Sequence, residues 1–283
     1  DAILYTHDHA DQSHGIDDVR PICIRQRKPI PTYLSAETRG TLTERFSYCF
    51  EGKGGYPSIL DLQDELVPLE LVKISGAGGG IGRSITTLLL SSDWRIVGLG
   101  RDPVRSEFSQ KEFTQATIDL SDLAHLPEQL RLVASEHGDI DSVVCAAGVG
   151  LFGSLEEVSY EQIRELIDIN LTSQLYVVRA FLPLLKRRGR GDVVLIGSEA
   201  ALAGGARGAV YSATKFALRG FCQSLRQESA AAGIRVTLIN PGMVRTGFFD
   251  QLDFEPGEDP THAIVPEDIA VAVKMVLSAR PET

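Results

Sequence analysis

LVKISGAGGGIGRSITTLLL, residues 71–90, runs from an apolar strand-like segment through a glycine cluster into a helix-like apolar period. A glycine-rich turn between a strand and a helix lets backbone N–H groups approach a pyrophosphate at the helix N-terminus. The spacing separates the candidate motifs. A strict G-x-G-x-x-G needs glycines at i, i+2 and i+5, but from Gly76 the last position is Ile81 and from Gly78 it is Arg83. The phosphate-loop pattern fails too, because no Gly-Lys dipeptide follows. The pattern G-x-x-x-G-x-G fits, with Gly76, Gly80 and Gly82. Taken alone, the stretch also allows a glycine-rich turn that holds no ligand.

From Leu71 onward, short β-branched runs (LVKIS, RIVGL, ATID, DSVVCAA, DVVLIG and IRVTLI) alternate with helical stretches. That alternation predicts an α/β fold, a doubly wound parallel sheet of the Rossmann type. Residues 1–70 have another texture. They offer strand candidates at 2–6 and 31–35, one helix candidate at 37–46, and the turn-rich EGKGGYP. The acidic stretch DLQDELVPLE, 61–70, marks the expected seam between residues 1–70 and 71–283. About 210 residues beyond it are ample for one core.

The chain of 283 residues carries a net charge of −10 shared evenly along it, and an acidic protein without a basic face argues against nucleic acid as a partner. No apolar run reaches the ~18 residues of a membrane span, and no charged-then-apolar signal segment opens the sequence. Cys23, Cys49, Cys145 and Cys222 form no C-x-x-C pair, so reduced thiols in a cytoplasmic protein are expected. Asp1 rather than a methionine comes first, as in a fragment or processed product.

The second strand candidate after the seam ends in GLGRDP. Dinucleotide folds place an acid there to bind a ribose 2′-hydroxyl, or an arginine nearby to hold a 2′-phosphate. Gly100 takes the acid position and Arg101 follows, which favours NADP(H) over NAD(H) through charge-assisted hydrogen bonds. The competing reading makes Arg101 a solvated turn residue and gives the ribose to Asp102. Further on, YSATK places Tyr211 and Lys215 four apart on one helix face. A tyrosine titrating near ~10 is a poor acid or base at neutral pH, and a neighbouring ammonium would lower it. Thirteen residues upstream, IGSEA places Ser198 at a strand C-terminus. Asn170 stands among Ile167, Ile169 and Leu171, where a buried amide needs partners.

In these features residues 71–280 resemble the short-chain dehydrogenase/reductase family. SGAGGGIG matches its cofactor loop, CAAG (145–148) its Asn-Asn-Ala-Gly motif, and PGMVRT (241–246) its later turn, with Asn170, Ser198, Tyr211 and Lys215 in order between. The resemblance implies cofactor contacts from Gly76, Gly80, Ile81, Gly82, Arg101, Asp119, Ala147, Gly148 and Thr246, with Asp119 near the adenine and Thr246 near the carboxamide. It also implies that Tyr211 is the general acid/base, that Lys215 holds the nicotinamide ribose and lowers the tyrosine pKa, that Ser198 orients the substrate oxygen, and that Asn170 anchors a relay water. Dimers or tetramers through helices near 159–186 and 209–231 follow from the same likeness. Three departures stand out. Cys145 and Ala146 replace two asparagines, Gly79 replaces a basic residue, and SARPET ends the sequence where the family adds one more strand.

YTHDHADQSHG, 5–15, with HGIDDVRP and the later GGYP, resembles dinuclear hydrolases of the metallo-β-lactamase fold. His7 and His9 would serve one metal and Asp11 a second, and both donor types suit zinc or manganese. Gln12 replaces a histidine ligand, His14 matches a different position of that family, and after it no histidine appears before His125. A truncated, non-functional fragment fused to a reductase is therefore expected, with no working metal site and only vestigial ligands. The expected activity is NADP-preferring hydride transfer between nicotinamide and a small-molecule carbonyl or secondary alcohol. The loop 149–152, Met243, Phe248 and Phe249 would form an apolar pocket, though they also suit ordinary core. A metal-dependent hydrolase of the phosphodiesterase type and a catalytically idle scaffold are the two rival readings.

Overall fold

The computed structural model describes residues 3–5, 20–34, 36–52, 57–62, 71–92, 94–101, 112–250, 252–257 and 259–280. The chain divides into two compact units, the first built mainly of Asp1–Val67 and the second of Pro68–Pro281.

In the first unit, strands β1 (Ile3–Tyr5), β2 (Ile30–Leu34) and β3 (Leu60–Leu62) form a parallel sheet in that order. Helices α1 (Arg20–Gln26), α2 (Ala36–Arg45) and α3 (Ser47–Phe50) lie between the strands in sequence. Cys23, Ile30, Leu42, Cys49, Ile59 and Leu60 make its core. The expected strands and helix recur with their ends shifted by a residue, whereas α1 and β3 were not expected. Seven and three residues are too short to display a helical or alternating period.

The second unit holds a six-stranded, all-parallel sheet in the order β6-β5-β4-β7-β8-β9. Its strands are β4 (Leu71–Ser75), β5 (Arg95–Gly100), β6 (Phe113–Thr117), β7 (Ser142–Cys145), β8 (Gly191–Ile196) and β9 (Ile234–Ile239). The expected strand ATID sits later than the observed β6. The ladder ends at Gly100↔Thr117, so Ile118 and Asp119 lie beyond it and are free to turn toward a ligand.

Parallel strands bury both faces, and alternate side chains divide between two apolar layers. Val143, Cys145, Val193 and Leu195 join one layer, covered by α5 (Leu126–Glu136), α7 (Ser173–Arg188) and α8 (Ala209–Ser229). Val72, Ile74, Val144, Val194 and Ile196 join the other, covered by α4 (Gly80–Leu90) and α9 (Pro266–Ser278). The short helix α6 (Tyr160–Ile167) opens with a Ser159–Gln162 capping box and runs through a π-helical turn, Asp168–Thr172, into α7. At the far end of the sheet, Arg235 binds Asp192 through two bonds of 2.8 and 2.9 Å and donates to the Ala279 carbonyl at 2.9 Å. This fork ties β9 to β8 and to the end of α9. Strand order reverses between β4 and β7, and ligand crevices form at the carboxyl ends of strands at such a switch point.

Candidate active site

Glycine geometry shapes the crevice. Gly76 leaves β4 with φ +72°, a conformation that disfavours L side chains, and its added Cβ would lie 2.8 Å from Ala147 Cα. A Cβ on Gly82 would fall 2.1 Å from the Gly76 carbonyl oxygen, so the first turn of α4 can close under the loop only without one. Gly80 faces Thr246, whose Cβ would be 2.6 Å from an added Cβ. The loop thus passes tightly between the ends of β4, β7 and the turn after β9.

That loop opens onto one cavity of about 1320 Å³. The cavity brings together Gly76, Gly80, Ile81, Arg101, Asp119, Ala147, Gly148 and Thr246 with Ser198, Tyr211 and Lys215. Gly82 and Asn170 stand behind its wall. Pockets for small ligands run to about 1,000 Å³, so this one has room for an extended cofactor and a second molecule. At one end, Asp119 accepts bonds from the Ser121 hydroxyl (2.6 Å) and backbone N–H (2.9 Å). These bonds, with a smaller contribution from Arg101, hold its carboxyl below the usual range. Among the described residues, no atom lies within 4 Å of a Cβ added to Gly100, and Arg101 beside it is exposed.

At the other end, α8 carries Tyr211 and Lys215, which are 8% and 5% exposed. Lys215 Nζ donates to the Ile196 carbonyl at 3.3 Å and lies 5.6 Å from the centre of the Tyr211 ring. Burial pushes its pKa down to about 8. Burial also holds Tyr211 above the usual phenol range, against the pull of a hydrogen bond from Ser198 and with a small upward push from Glu199. Desolvation and the Ser198 hydrogen bond thus act on Tyr211 in opposite directions. Removal of water from the phenolate outweighs the pull toward ionisation, and the ammonium is itself desolvated and bound to a carbonyl.

Asn170 is wholly buried in the π-helical turn. Its Oδ1 accepts from the Val149 N–H and its Nδ2 donates to the Val149 carbonyl, both at 2.8 Å. The amide therefore braces the loop after β7, since a buried amide must satisfy both ends. π-Turns recur at functional sites because they re-aim one residue within a helix. Ser198 Oγ accepts from Ala200 N–H at 3.2 Å, and its own N–H donates to Asn240 Oδ1 at 3.2 Å.

Three supporting residues, Gln174, Asn240 and Phe254, went unnoticed in the sequence. Gln174, buried in α7, donates to the Ala147 carbonyl at 3.1 Å and so supports the strand end where two asparagines are replaced. Cys145, one of the replacements, is an inert thiol whose pKa burial pushes up to about 12. Asn240 fixes the Ser198 backbone, and Phe254 closes the aromatic end of the cavity. Their partners lie far away in sequence, so no spacing could announce them.

His7, His9 and Asp11 lie outside the described residues. Among the described residues, no group of three or more His, Cys, Asp or Glu is placed to hold a metal, and no helix is long and apolar enough to cross a membrane.

Comparison with known proteins agrees with this geometry. Residues 1–95 match the Beta-lactamase superfamily domain, overlapping the next match at its start. An uncharacterized oxidoreductase of Staphylococcus epidermidis is 34% identical over 185 residues, covering 64% of this chain and 80% of that protein. Serine dehydrogenase from Escherichia coli superposes with a TM-score of 0.65 at 29% identity, covering 75% of this chain and 93% of the other. An alcohol dehydrogenase from the archaeon Thermococcus sibiricus gives 0.68 at 29% identity, with 76% and 92% covered. Residues 70–255 match the short chain dehydrogenase family, and with the parallel sheet, the glycine loop and the Ser198, Tyr211 and Lys215 cluster around one cavity, the chain belongs to that family of oxidoreductases.

Proposed function

We propose that the second unit is an NADP-preferring reductase acting on a carbonyl, or in reverse on a secondary alcohol. The observation that carries this reading is the single cavity joining the Gly76–Gly82 loop to the buried Tyr211 and Lys215. The glycine cradle, which a Cβ at Gly76 or Gly82 would fill, suits a dinucleotide pyrophosphate. Arg101 would hold a 2′-phosphate beside Gly100, and Asp119 would border the adenine. Ile81, Ala147, Gly148 and Thr246 would line the nicotinamide half. Structures of serine dehydrogenase complexed with NADP+ and of the T. sibiricus enzyme complexed with 5-hydroxy-NADP, each 29% identical, support the preference.

When bound, the cofactor supplies or accepts the hydride. The chain's own residues handle the oxygen. Tyr211, held neutral by its surroundings, donates its proton to the carbonyl oxygen as negative charge develops there. Ser198 orients that oxygen by a hydrogen bond. Lys215 binds the ribose, and its cation shares the developing phenolate charge. Asn170 acts as a positioning residue through Val149, and a relay water on this segment would return the proton to Tyr211. A homo-oligomer formed through the helices that expose Tyr160 and Phe216, in the cytoplasm, completes the proposal.

Titration of the purified chain with NADPH and NADH tests it. NADPH should bind more tightly, and Arg101→Asp should weaken NADPH far more than NADH. Equal weakening of both would overturn the preference. Ketone reduction that persists in chelator would exclude the hydrolase as the source of the activity, whereas phosphodiester hydrolysis abolished by chelator, without reductase activity, would support it.

A further inference from the structure

At the Tyr211 end the cavity is walled by rings. The Phe152 ring centre lies 5.1 Å from that of Tyr211 and 5.0 Å from that of Phe254, and Phe248 lies 6.0 Å from Tyr211. Phe249 continues the chain of edge-to-face contacts at 5.2 Å from Phe248 and 5.8 Å from Phe254. Two glycines leave the room these rings occupy. A Cβ on Gly150 would lie 2.7 Å from Phe248 Cζ, and one on Gly208 would lie 3.3 Å from Phe152 Cε1.

Beside this preformed wall, apolar surface is left bare. Val149, Met243 and Phe254 are each 41% exposed and Leu202 is 55% exposed, and all four line this same cavity. Large apolar side chains that converge uncovered on one concavity mark a binding surface, because covering them removes apolar area from water.

The charges there have one sign. Among the described lining residues, Arg101 and Asp119 belong to the end beyond β5 and β6, while Glu199 and Asp250 belong to the Tyr211 end. Glu199 reaches over the turn after β9, with an oxygen 3.4 Å from a Cβ added to Gly242, and it acts electrostatically on Tyr211. The cation at this end is Lys215, which is buried and bonded to the Ile196 carbonyl. A carboxylate brought here would lose its water against two acids, with no exposed cation among the described lining residues to replace it.

We propose that the site takes an uncharged aryl ketone, or the matching secondary alcohol, and rejects substrates that carry a carboxylate. This rests on the oxidoreductase reading above. In reduction the carbonyl carbon gains a hydride from NADPH and the oxygen gains the Tyr211 proton. The C=O π bond opens to an alcohol, NADP+ remains, and solvent returns a proton to Tyr211.

The test compares 4-methylacetophenone with 4-acetylbenzoate, a matched neutral and anionic pair, using NADPH consumption by the full chain. The neutral ketone should have the higher kcat/KM by at least about tenfold, the low end of what one methylene contributes in a hydrophobic pocket. Glu199→Lys should compress that ratio at least tenfold. Phe254→Ala, at a partly exposed side chain, should lower kcat/KM for the neutral ketone about tenfold, an effect on the scale of a pocket contact. Equal or better use of 4-acetylbenzoate by the unsubstituted protein would overturn the proposal. So would failure to reduce the neutral ketone in protein that binds NADPH. Failure to bind NADPH at all would instead remove the oxidoreductase reading beneath it.

Discussion

The described cores of the two units differ in size. In the second, a six-stranded parallel sheet is covered on both faces, and polar groups such as Lys215, Tyr211, Asn170 and Gln174 are buried at the layer edges with partners supplied. In the first, the described core comprises six buried side chains over a three-stranded sheet. Burying an amine or an amide costs several kcal/mol unless it is hydrogen-bonded, and a large core with fixed helices can supply those bonds. A unit with few buried layers has less to hold such groups with. Motif spacing alone therefore says little about activity. YSATK falls on a helix that holds Tyr211 and Lys215 against a cavity, whereas most of YTHDHADQSHG lies outside the described residues.

The contrast can be broken at several points. Tyr211→Phe should show the largest effect, lowering carbonyl turnover by about 10²–10⁴-fold while NADPH affinity stays the same. Comparable activity in that variant would detach the chemistry from α8 altogether. Arg235→Ala should leave Asp192 buried without its fork and destabilise the second unit by about 3 kcal/mol, read as a lower Tm. An unchanged Tm would mean that β9 and α9 are held by packing alone. Gly82→Ala should cost about 1–3 kcal/mol, because the loop must shift to clear the Gly76 carbonyl, and NADPH affinity should fall with it.

A smaller signal comes from Lys215, whose folded-state pKa of about 8 lies below the ordinary lysine range. Between those two values the unfolded chain binds a proton that the folded protein does not, so this group makes stability rise with pH there. Denaturant titrations across that window should show the rise, and Lys215→Met should abolish it. The smallest expected effect is that of deleting residues 1–66. Unchanged reductase activity and Tm would sharpen the division into two units, and a loss of folding would erase it.

Much of the second unit was legible because parallel strands buried on both faces read as short β-branched runs, and helices between them read by their period. The glycine loop and the Tyr211–Lys215 pair were legible for a local reason. Their function depends on spacing within a single turn or a single helix. The third strand was misplaced because FTQAT is mixed in character, and its pairing with Gly98–Gly100, rather than its own pattern, fixes its ends. Gln174, Asn240 and Phe254 were silent because each acts on residues tens of positions away.

By itself, then, the sequence determined the α/β class, the glycine loop and the Tyr211–Lys215 spacing, since all of these are written in local periodicity and short spacings. Only the tertiary structure decided that Tyr211 and Lys215 are both buried, that Asn170 braces Val149, and that four phenylalanines and two carboxylates share one end of the cavity. Those outcomes depend on how much water is excluded and on which distant groups are brought within a few ångströms, and no single stretch of chain contains that information.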